Sequence, residues 1–195
     1  MKIVEGEIRD DNREGQGAAL ERKVIKILQR IGIKRGQTVL DFGCGSGTYT
    51  IPVAKIVGKE GKVYALDKDK NELDNLMKKA ELGGLKNIRR MATSGELRIQ
   101  LPDESVDVTL LFDVFHRHYF ARINDRKMLV DEIHRITKTN GFVSVWPKHM
   151  GSEVKGEIEG ANFHAEKEYH GTLIHDNSDV ETGKVINFRK KPSRC

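Results

Sequence analysis

The sequence has few cysteines and no long apolar run. Of its 195 residues only Cys44 and Cys195 are cysteine, which excludes a disulfide framework and a cluster of cysteine ligands for structural zinc. No apolar stretch approaches the roughly 18 residues that a membrane-spanning helix needs. Residues 1–15 are strongly charged and lack the apolar centre of a secretory signal. These absences predict a cytoplasmic protein that has no membrane partner.

The excess of charge of one sign is also small. The chain carries 34 Lys and Arg against 29 Asp and Glu, a net charge of +5. Basic residues are spread along the chain, with short clusters only at residues 78–79, 89–90 and 189–191. A nucleic-acid footprint needs such residues gathered on one face. A solvated basic surface is therefore favoured over a nucleic-acid partner, and the sequence indicates no particular oligomeric state.

Hydrophobic periodicity predicts strands that alternate with helices. One helical face is indicated by the apolar stripe Leu20, Val24, Ile27, Leu28 and Ile31. Strands are predicted over residues 38–41, 62–67, 87–92, 106–112 and 142–146, with helices over 48–57, 73–80 and 129–136 and a turn at Asn140-Gly141. Because a crossover between parallel strands passes over a face of the sheet, this alternation predicts a parallel sheet covered by helices on both faces.

The last part of the chain departs from this alternation. Residues 169–175 and 184–189 have the pattern of two strands, and the polar loop between them is too short for a crossover helix. Such strands pair antiparallel. The predicted fold is α/β, a doubly wound sheet that ends in an antiparallel C-terminal hairpin. We expect a single domain over residues 18–191, a flexible segment over residues 1–17, and a cover over residues 148–166 with a short helix ending near Gly160.

Three glycines at alternate positions follow the first predicted strand. The stretch V-L-D-F-G-C-G-S-G at residues 39–47 ends in a turn that contains Gly43, Gly45 and Gly47, and a helix is predicted beyond it. Glycine permits a sharp turn and close approach of a ligand, and a helix N-terminus favours an anionic group. Asp67 lies about 20 residues after Gly47, the separation at which an acid binds ribose hydroxyls in dinucleotide-binding folds. These features favour a nucleoside site over a turn made only for packing beside a surface acid.

The glycine spacing also distinguishes between nucleoside cofactors. The NAD fingerprint is G-x-G-x-x-G, whereas position 48 here is threonine. The stretch instead resembles motif I of class I S-adenosylmethionine-dependent methyltransferases, and residues 63–67, 101–107 and 129–146 extend the resemblance. It covers about residues 20–190 and is strongest for the ubiquinone- and menaquinone-biosynthesis-type group. The resemblance implies S-adenosylmethionine as the cofactor and a Rossmann-like, seven-stranded, mostly parallel sheet.

The resemblance also implies which residues hold the cofactor. Its methionine end would contact Asp41 and the loop that contains Gly43, Cys44, Gly45 and Gly47. Asp67 would bind the ribose hydroxyls.

The adenine contact departs from the family pattern. Leu66 and Lys68 would lie beside the ring, but the acid that the family often has after the third strand is absent. Thr93 or Ser94 is the substitute hydroxyl partner for the adenine amino group, or Glu96 reaches it instead.

The end of the fourth strand faces the reacting methyl group in this family. Asp113 is included in the cofactor site, and His116 and His118 are the candidate catalytic residues, because histidine accepts protons near neutral pH. The alternative is that both histidines are structural, one packed inside the protein and one solvated. For His116 the catalytic and structural interpretations are equally supported, whereas for His118 the structural interpretation is favoured. The two are not at the i, i+4 spacing of helical metal ligands, and no metal is expected.

The implied reaction is methyl transfer to an oxygen, nitrogen or carbon atom of a small molecule. The chain lacks the Asp/Asn-Pro-Pro-Tyr/Phe motif of many enzymes that methylate nucleobase amino groups, and it lacks a Pro-Cys pair. Two alternatives stay open. One is methylation of RNA or protein, and the other is a regulatory protein that binds S-adenosylmethionine without catalysis.

Overall fold

The computed structural model describes residues 7–151, 153–175 and 179–191, and within these ranges the chain forms seven strands and five helices. The strands are β1 (Thr38–Phe42), β2 (Lys62–Asp67), β3 (Ile88–Ala92), β4 (Val106–Phe112), β5 (Thr137–Trp146), β6 (Phe163–His175) and β7 (Asp179–Lys190). The helices are α1 (Glu7–Arg30), α2 (Thr50–Val57), α3 (Lys70–Leu82), α4 (Ile123–Ile136) and α5 (Glu153–Glu159). None of the helices in these ranges is long and apolar enough to cross a membrane.

All seven strands form one sheet, in the order β3-β2-β1-β4-β5-β7-β6. β1 pairs in parallel with β2 and β4, and β3 and β5 extend the parallel part on either side. β7 is antiparallel to both β5 and β6. The predicted fold class is therefore confirmed, including its antiparallel C-terminal hairpin.

The direction of β6 has a consequence for the site. Because β5 and β6 are both antiparallel to β7, β6 runs in the same direction as β5. Its last residue, His175, therefore lies at the same edge of the sheet as the carboxyl ends of β1, β4 and β5.

Two apolar layers enclose the sheet. On β1 the side chains alternate, so that Val39 joins the layer of α1, α2 and α3 while Leu40 joins the layer of α4 and α5. The predicted face of α1 is buried, with Val24 and Leu28 fully enclosed. This alternation positions helices on both faces, as a doubly wound sheet requires.

Several boundaries differ from those predicted. β6 and β7 are longer than the predicted strands, because many of their residues are polar and exposed and do not give an apolar signal. The predicted turn at Asn140-Gly141 is wrong, since both residues lie inside β5. There the pairing of β5 with β4 shifts register between Val106 and Val108, so the backbone forms a strand irregularity rather than a turn.

Two further predictions concern the N-terminal segment and the helix before Gly160. α1 begins at Glu7, so its first turns fall within the segment for which flexibility was expected; Glu, Arg and Gln in those turns favour helix. Residues 1–6 of that segment lie outside the described residues. The short helix expected before Gly160 is confirmed as α5, and Arg126 of α4 holds it through two hydrogen bonds to Glu157, of 2.7 and 2.8 Å.

Candidate functional site

The glycine loop turns sharply at the carboxyl end of β1. Gly43, Gly45 and Gly47 all have positive φ, at 74°, 50° and 91°, a region that side chains with a Cβ rarely adopt. The backbone N–H groups of Gly43 and Cys44 both donate to the carbonyl oxygen of Leu66, at 2.8 and 3.1 Å. These bonds fix the loop against the end of β2.

The three glycines have different surroundings. A Cβ atom at Gly43 would overlap the side chain of Val114, and one at Gly47 would overlap Leu76. A Cβ atom at Gly45 would meet nothing within 4 Å. Gly43 and Gly47 are therefore required by internal packing, whereas Gly45 borders open space that a ligand can fill.

Asp67 supports the loop from the end of β2. Its Oδ2 accepts a hydrogen bond from the backbone N–H of Gly45 at 2.8 Å, and its Oδ1 accepts one from the N–H of Asp69 at 2.9 Å. A carboxylate has four lone-pair positions, so these two bonds leave capacity for ribose hydroxyls. The structure thus brings Asp67 and Gly45 together, as the spacing predicted.

Asp41 lies beneath the loop and is only 3% exposed. Its Oδ2 accepts a hydrogen bond from Oγ1 of Thr50 at 2.5 Å. Burial raises the pKa of Asp41 to about 6, with the Thr50 bond opposing the shift and the charge of Asp67 adding to it. A carboxylate in such surroundings is stabilised by a cationic partner.

Cys44 contributes packing. Its thiol is buried in the core, and burial raises the pKa of this thiol far above its usual range. Its N–H donates to the carbonyl oxygen of Leu66, and its carbonyl oxygen accepts from the N–H of Gly47. Both backbone polar groups that could contact the cofactor therefore already have partners within the protein. Cys195 lies outside the described residues.

The residues expected around the adenine form a compact loop after β3. Oγ of Ser94 donates to Glu96 at 2.6 Å, and Oγ1 of Thr93 donates to the same carboxylate at 3.3 Å. The Ser94 hydrogen bond lowers the pKa of Glu96, so this carboxylate is the anionic group of the loop. Lys68 is exposed and places Nζ 5.5 Å from the ring centre of Tyr119.

The two histidines after β4 have different environments. His116 is 7% exposed, and its Nδ1 accepts a hydrogen bond from the backbone N–H of His118 at 3.2 Å. The neutral ring therefore carries its proton on Nε2. Burial lowers the pKa of His116, partly opposed by the charge of Asp113. His118 is exposed, with its ring stacked on His116 at 6.0 Å.

A group that the sequence analysis missed lies beside them. Asp113 follows β4 in a left-handed conformation with φ of 54°, and one of its carboxylate oxygens contacts Nδ1 of His175. His149, from the segment after β5, places Nε2 3.4 Å from the other carboxylate oxygen. Asp113 was expected in the cofactor site, and only the sheet topology reveals that His149 and His175 join it. His170, which also lies on β6, is exposed.

The glycine loop and the Asp113 segment are neighbours. Val114, which follows Asp113, packs against Gly43 at the start of the loop. Burial raises the pKa of Tyr49, and the charges of Asp41 and Asp113 both add to that rise, so this buried residue is near both carboxylates. The site is therefore one continuous region along the carboxyl edge of β1, β2 and β4.

Comparison with known proteins gives consistent results. A family described as a methyltransferase domain matches residues 33–186. A demethylmenaquinone methyltransferase from Geobacillus stearothermophilus is 33% identical over 117 residues, which are 60% of this chain and 47% of that protein. The chain thus spans about half the length of the curated relatives of this kind that it matches.

Two further proteins resemble the chain. A probable cobalt-precorrin-6B C(15)-methyltransferase from Saccharolobus solfataricus is 38% identical over 60 residues, which are 31% of this chain and 30% of that protein. The crystal structure of a SAM dependent methyltransferase from Aquifex aeolicus superposes with a TM-score of 0.69 and 26% identity, covering 85% of this chain and 88% of that one. The resemblance drawn from the glycine loop, and S-adenosylmethionine as the cofactor, are confirmed.

Proposed function

The chain belongs to the methyltransferase domain family, and from this we propose that it transfers a methyl group from S-adenosylmethionine to an oxygen, nitrogen or carbon atom of a small molecule. The observation that carries the proposal is the open space at Gly45, with the carboxylate of Asp67 hydrogen-bonded to the same residue. A cytoplasmic location is part of the same proposal.

The residues present fit S-adenosylmethionine. Gly45 leaves a cradle that a Cβ would fill, and Asp67 presents free lone pairs beside it for the ribose hydroxyls. The buried carboxylate of Asp41 suits the ammonium group of the methionine end, since a cation offsets the cost of its burial. Adenine would lie toward Lys68 and the loop of Thr93, Ser94 and Glu96.

When bound, S-adenosylmethionine supplies a methyl group attached to positively charged sulfur. The protein's part in such a displacement is to align the acceptor and exclude water. His116 is buried and carries its proton on Nε2, so in this arrangement it donates a hydrogen bond rather than accepting a proton. We therefore propose that His116 orients the methyl acceptor through a hydrogen bond, and that the exposed His118 lies at the outer edge of the site.

Three observations support a small acceptor. The curated relatives above include an enzyme named for demethylmenaquinone. A cavity of about 700 Å³ borders Trp146, Met150 and Val154, within the range of roughly 300–1,000 Å³ usual for small-molecule sites. In one of the basic clusters, Arg189 and Lys190 are ion-paired with glutamates, which reduces the positive field available to a polyanion.

One observation favours the alternative of a nucleic-acid acceptor. A second cavity of about 520 Å³ near β2 and β3 is lined by four basic residues, Lys62, Arg89, Arg90 and Arg98. Arg90 is paired with Asp74 at 3.1 Å.

The acceptor is tested by measuring S-adenosylhomocysteine formation with separate acceptor panels. We expect turnover with demethylmenaquinone or with smaller phenols or amines, and none with total RNA or denatured protein. Turnover on RNA alone, lost in an Arg89→Ala/Arg98→Ala variant, would establish the alternative. Tight cofactor binding without turnover on any panel would favour a regulatory protein.

The Gly45→Ala variant tests the cradle. The added methyl group would occupy the space assigned to the ligand, and overpacking of this kind typically costs about 1–3 kcal/mol, or roughly 5- to 150-fold in affinity. We expect that loss in S-adenosylmethionine binding measured by calorimetry.

Gly36→Ala is the matched control. Gly36 also has positive φ, at 82°, and a Cβ there also meets nothing within 4 Å, but it lies in the exposed turn before β1. Both variants should lose similar stability from the left-handed conformation. Equal affinity of the two variants for S-adenosylmethionine would remove Gly45 from the binding site.

A further inference from the structure

Three ligand-bearing side chains from distant parts of the sequence converge at the carboxyl edge of the sheet. Asp113 follows β4, His149 lies after β5, and His175 ends β6. One carboxylate oxygen and one ring nitrogen from each histidine all lie within 4.8 Å of one another. Convergence of two imidazoles and a carboxylate is the donor set of many catalytic metal sites.

One of the separations suits a metal ion. Ligand atoms about 2.0–2.2 Å from a tetrahedral zinc ion lie about 3.3–3.6 Å from one another. Nε2 of His149 and Oδ1 of Asp113 are 3.4 Å apart, within this range. Nδ1 of His175 is in direct contact with the other oxygen of the same carboxylate, so this pair would separate to admit an ion.

The hydrogen bonding of Asp113 is incomplete without an ion. Among the described residues, its buried Oδ1 has no hydrogen-bond partner, although Nε2 of His149 is 3.4 Å away. The pair is thus close enough for a shared ion but is not aligned as a hydrogen bond. A buried carboxylate oxygen left in this state is costly, and a cation bound to it removes that cost.

We propose that Asp113, His149 and His175 bind one divalent transition-metal ion of the zinc class. Three protein ligands leave at least one coordination position for another molecule, as in catalytic zinc sites. The side chain of His149 is 47% exposed, which gives the ion a path to the site. The sequence predicted no metal, because it has few cysteines and because His116 and His118 lack the spacing of helical ligands.

The position of the ion gives it a role. Val114, the residue after Asp113, packs on the glycine loop, so the ion would lie near the cofactor site. There it would hold an oxygen atom of the methyl acceptor and lower the pKa of its hydroxyl group. This role, unlike the metal site itself, rests on the proposed function.

The test uses the full-length chain without an affinity tag, stripped of metal with a chelator and then titrated with zinc in a calorimeter. We expect one zinc ion per chain. His149→Gln and His175→Gln should each weaken zinc binding by more than about 100-fold, because even the loss of an outer-shell partner costs 10- to 100-fold. His170→Gln, an exposed histidine on the same strand as His175, should bind zinc as the wild type does.

Cobalt(II) absorption gives a second measure of metal binding. Cobalt(II) added in place of zinc should give visible absorption bands in the wild type that His149→Gln lacks. Since the His149 side chain is about half exposed, that variant is expected to stay folded, which circular dichroism checks. No zinc binding by wild type, or wild-type binding by His149→Gln and His175→Gln, would overturn the proposal. Binding of S-adenosylmethionine by the metal-free protein, measured on the same samples, separates failure of the metal site from failure of the proposed function.

Discussion

The Asp41→Asn variant is expected to be more stable than the wild type near pH 8, by about 3 kcal/mol. Burial raises the pKa of Asp41 from 3.8 to about 6, and each pKa unit corresponds to about 1.4 kcal/mol. The folded protein therefore holds a proton on this carboxyl more tightly than the unfolded chain does. The stability contributed by Asp41 is present below the unfolded pKa and is lost as the pH rises through the folded value.

Urea unfolding at a series of pH values measures this effect. The advantage of Asp41→Asn should shrink as the pH falls below about 6 and be nearly gone near pH 4. Asp74→Asn, at an exposed acid on α3, is the control and should show no such trend. An Asp41→Asn variant that is no more stable than wild type at the higher pH would refute the placement of a strained carboxylate under the loop. The same variant should bind S-adenosylmethionine more weakly, since it lacks the charge that the ammonium group would meet.

The Asp67→Ala variant is expected to lose about 1.5–3 kcal/mol of S-adenosylmethionine binding, or roughly 10- to 150-fold in affinity. Hydrogen bonds from ribose hydroxyls to a charged carboxylate would be lost. The N–H of Gly45 would also lose its acceptor, at present 2.8 Å away, and the loop would be less well held.

Calorimetric titration with S-adenosylmethionine compares Asp67→Ala with Asp74→Ala, two variants that each lose one negative charge. Asp74 is exposed on α3 and pairs with Arg90, so its removal should leave affinity for the cofactor unchanged. Wild-type affinity in Asp67→Ala would contradict the ribose assignment. Equal losses in the two variants would indicate a general electrostatic effect instead of a contact.

The sequence was sufficient to predict the fold and the position of the glycine loop. Regular patterns carry that information: β2 and β4 have the bounds predicted from their apolar runs, and the stripe through Val24 and Leu28 is buried as expected. The separation of Asp67 from the glycines reflects one strand-helix-strand unit, whose geometry brings the acid to Gly45.

Contacts between residues far apart in the sequence were not predictable in this way. His149 and His175 meet Asp113 only because β7 lies between β5 and β6, which leaves β6 parallel to β5. The separate requirements of the three glycines were also hidden, because they depend on whether Val114, Leu76 or open space lies opposite each. A motif shows where a loop lies, whereas the roles of its members depend on the side chains packed against it.

Calorimetric titration of the purified chain with S-adenosylmethionine, S-adenosylhomocysteine and NADH tests the proposed cofactor directly. We expect both adenosyl compounds to bind and NADH not to bind, because the loop at Gly45 and the carboxylates of Asp41 and Asp67 match the first two. A folded protein that binds neither adenosyl compound would contradict it.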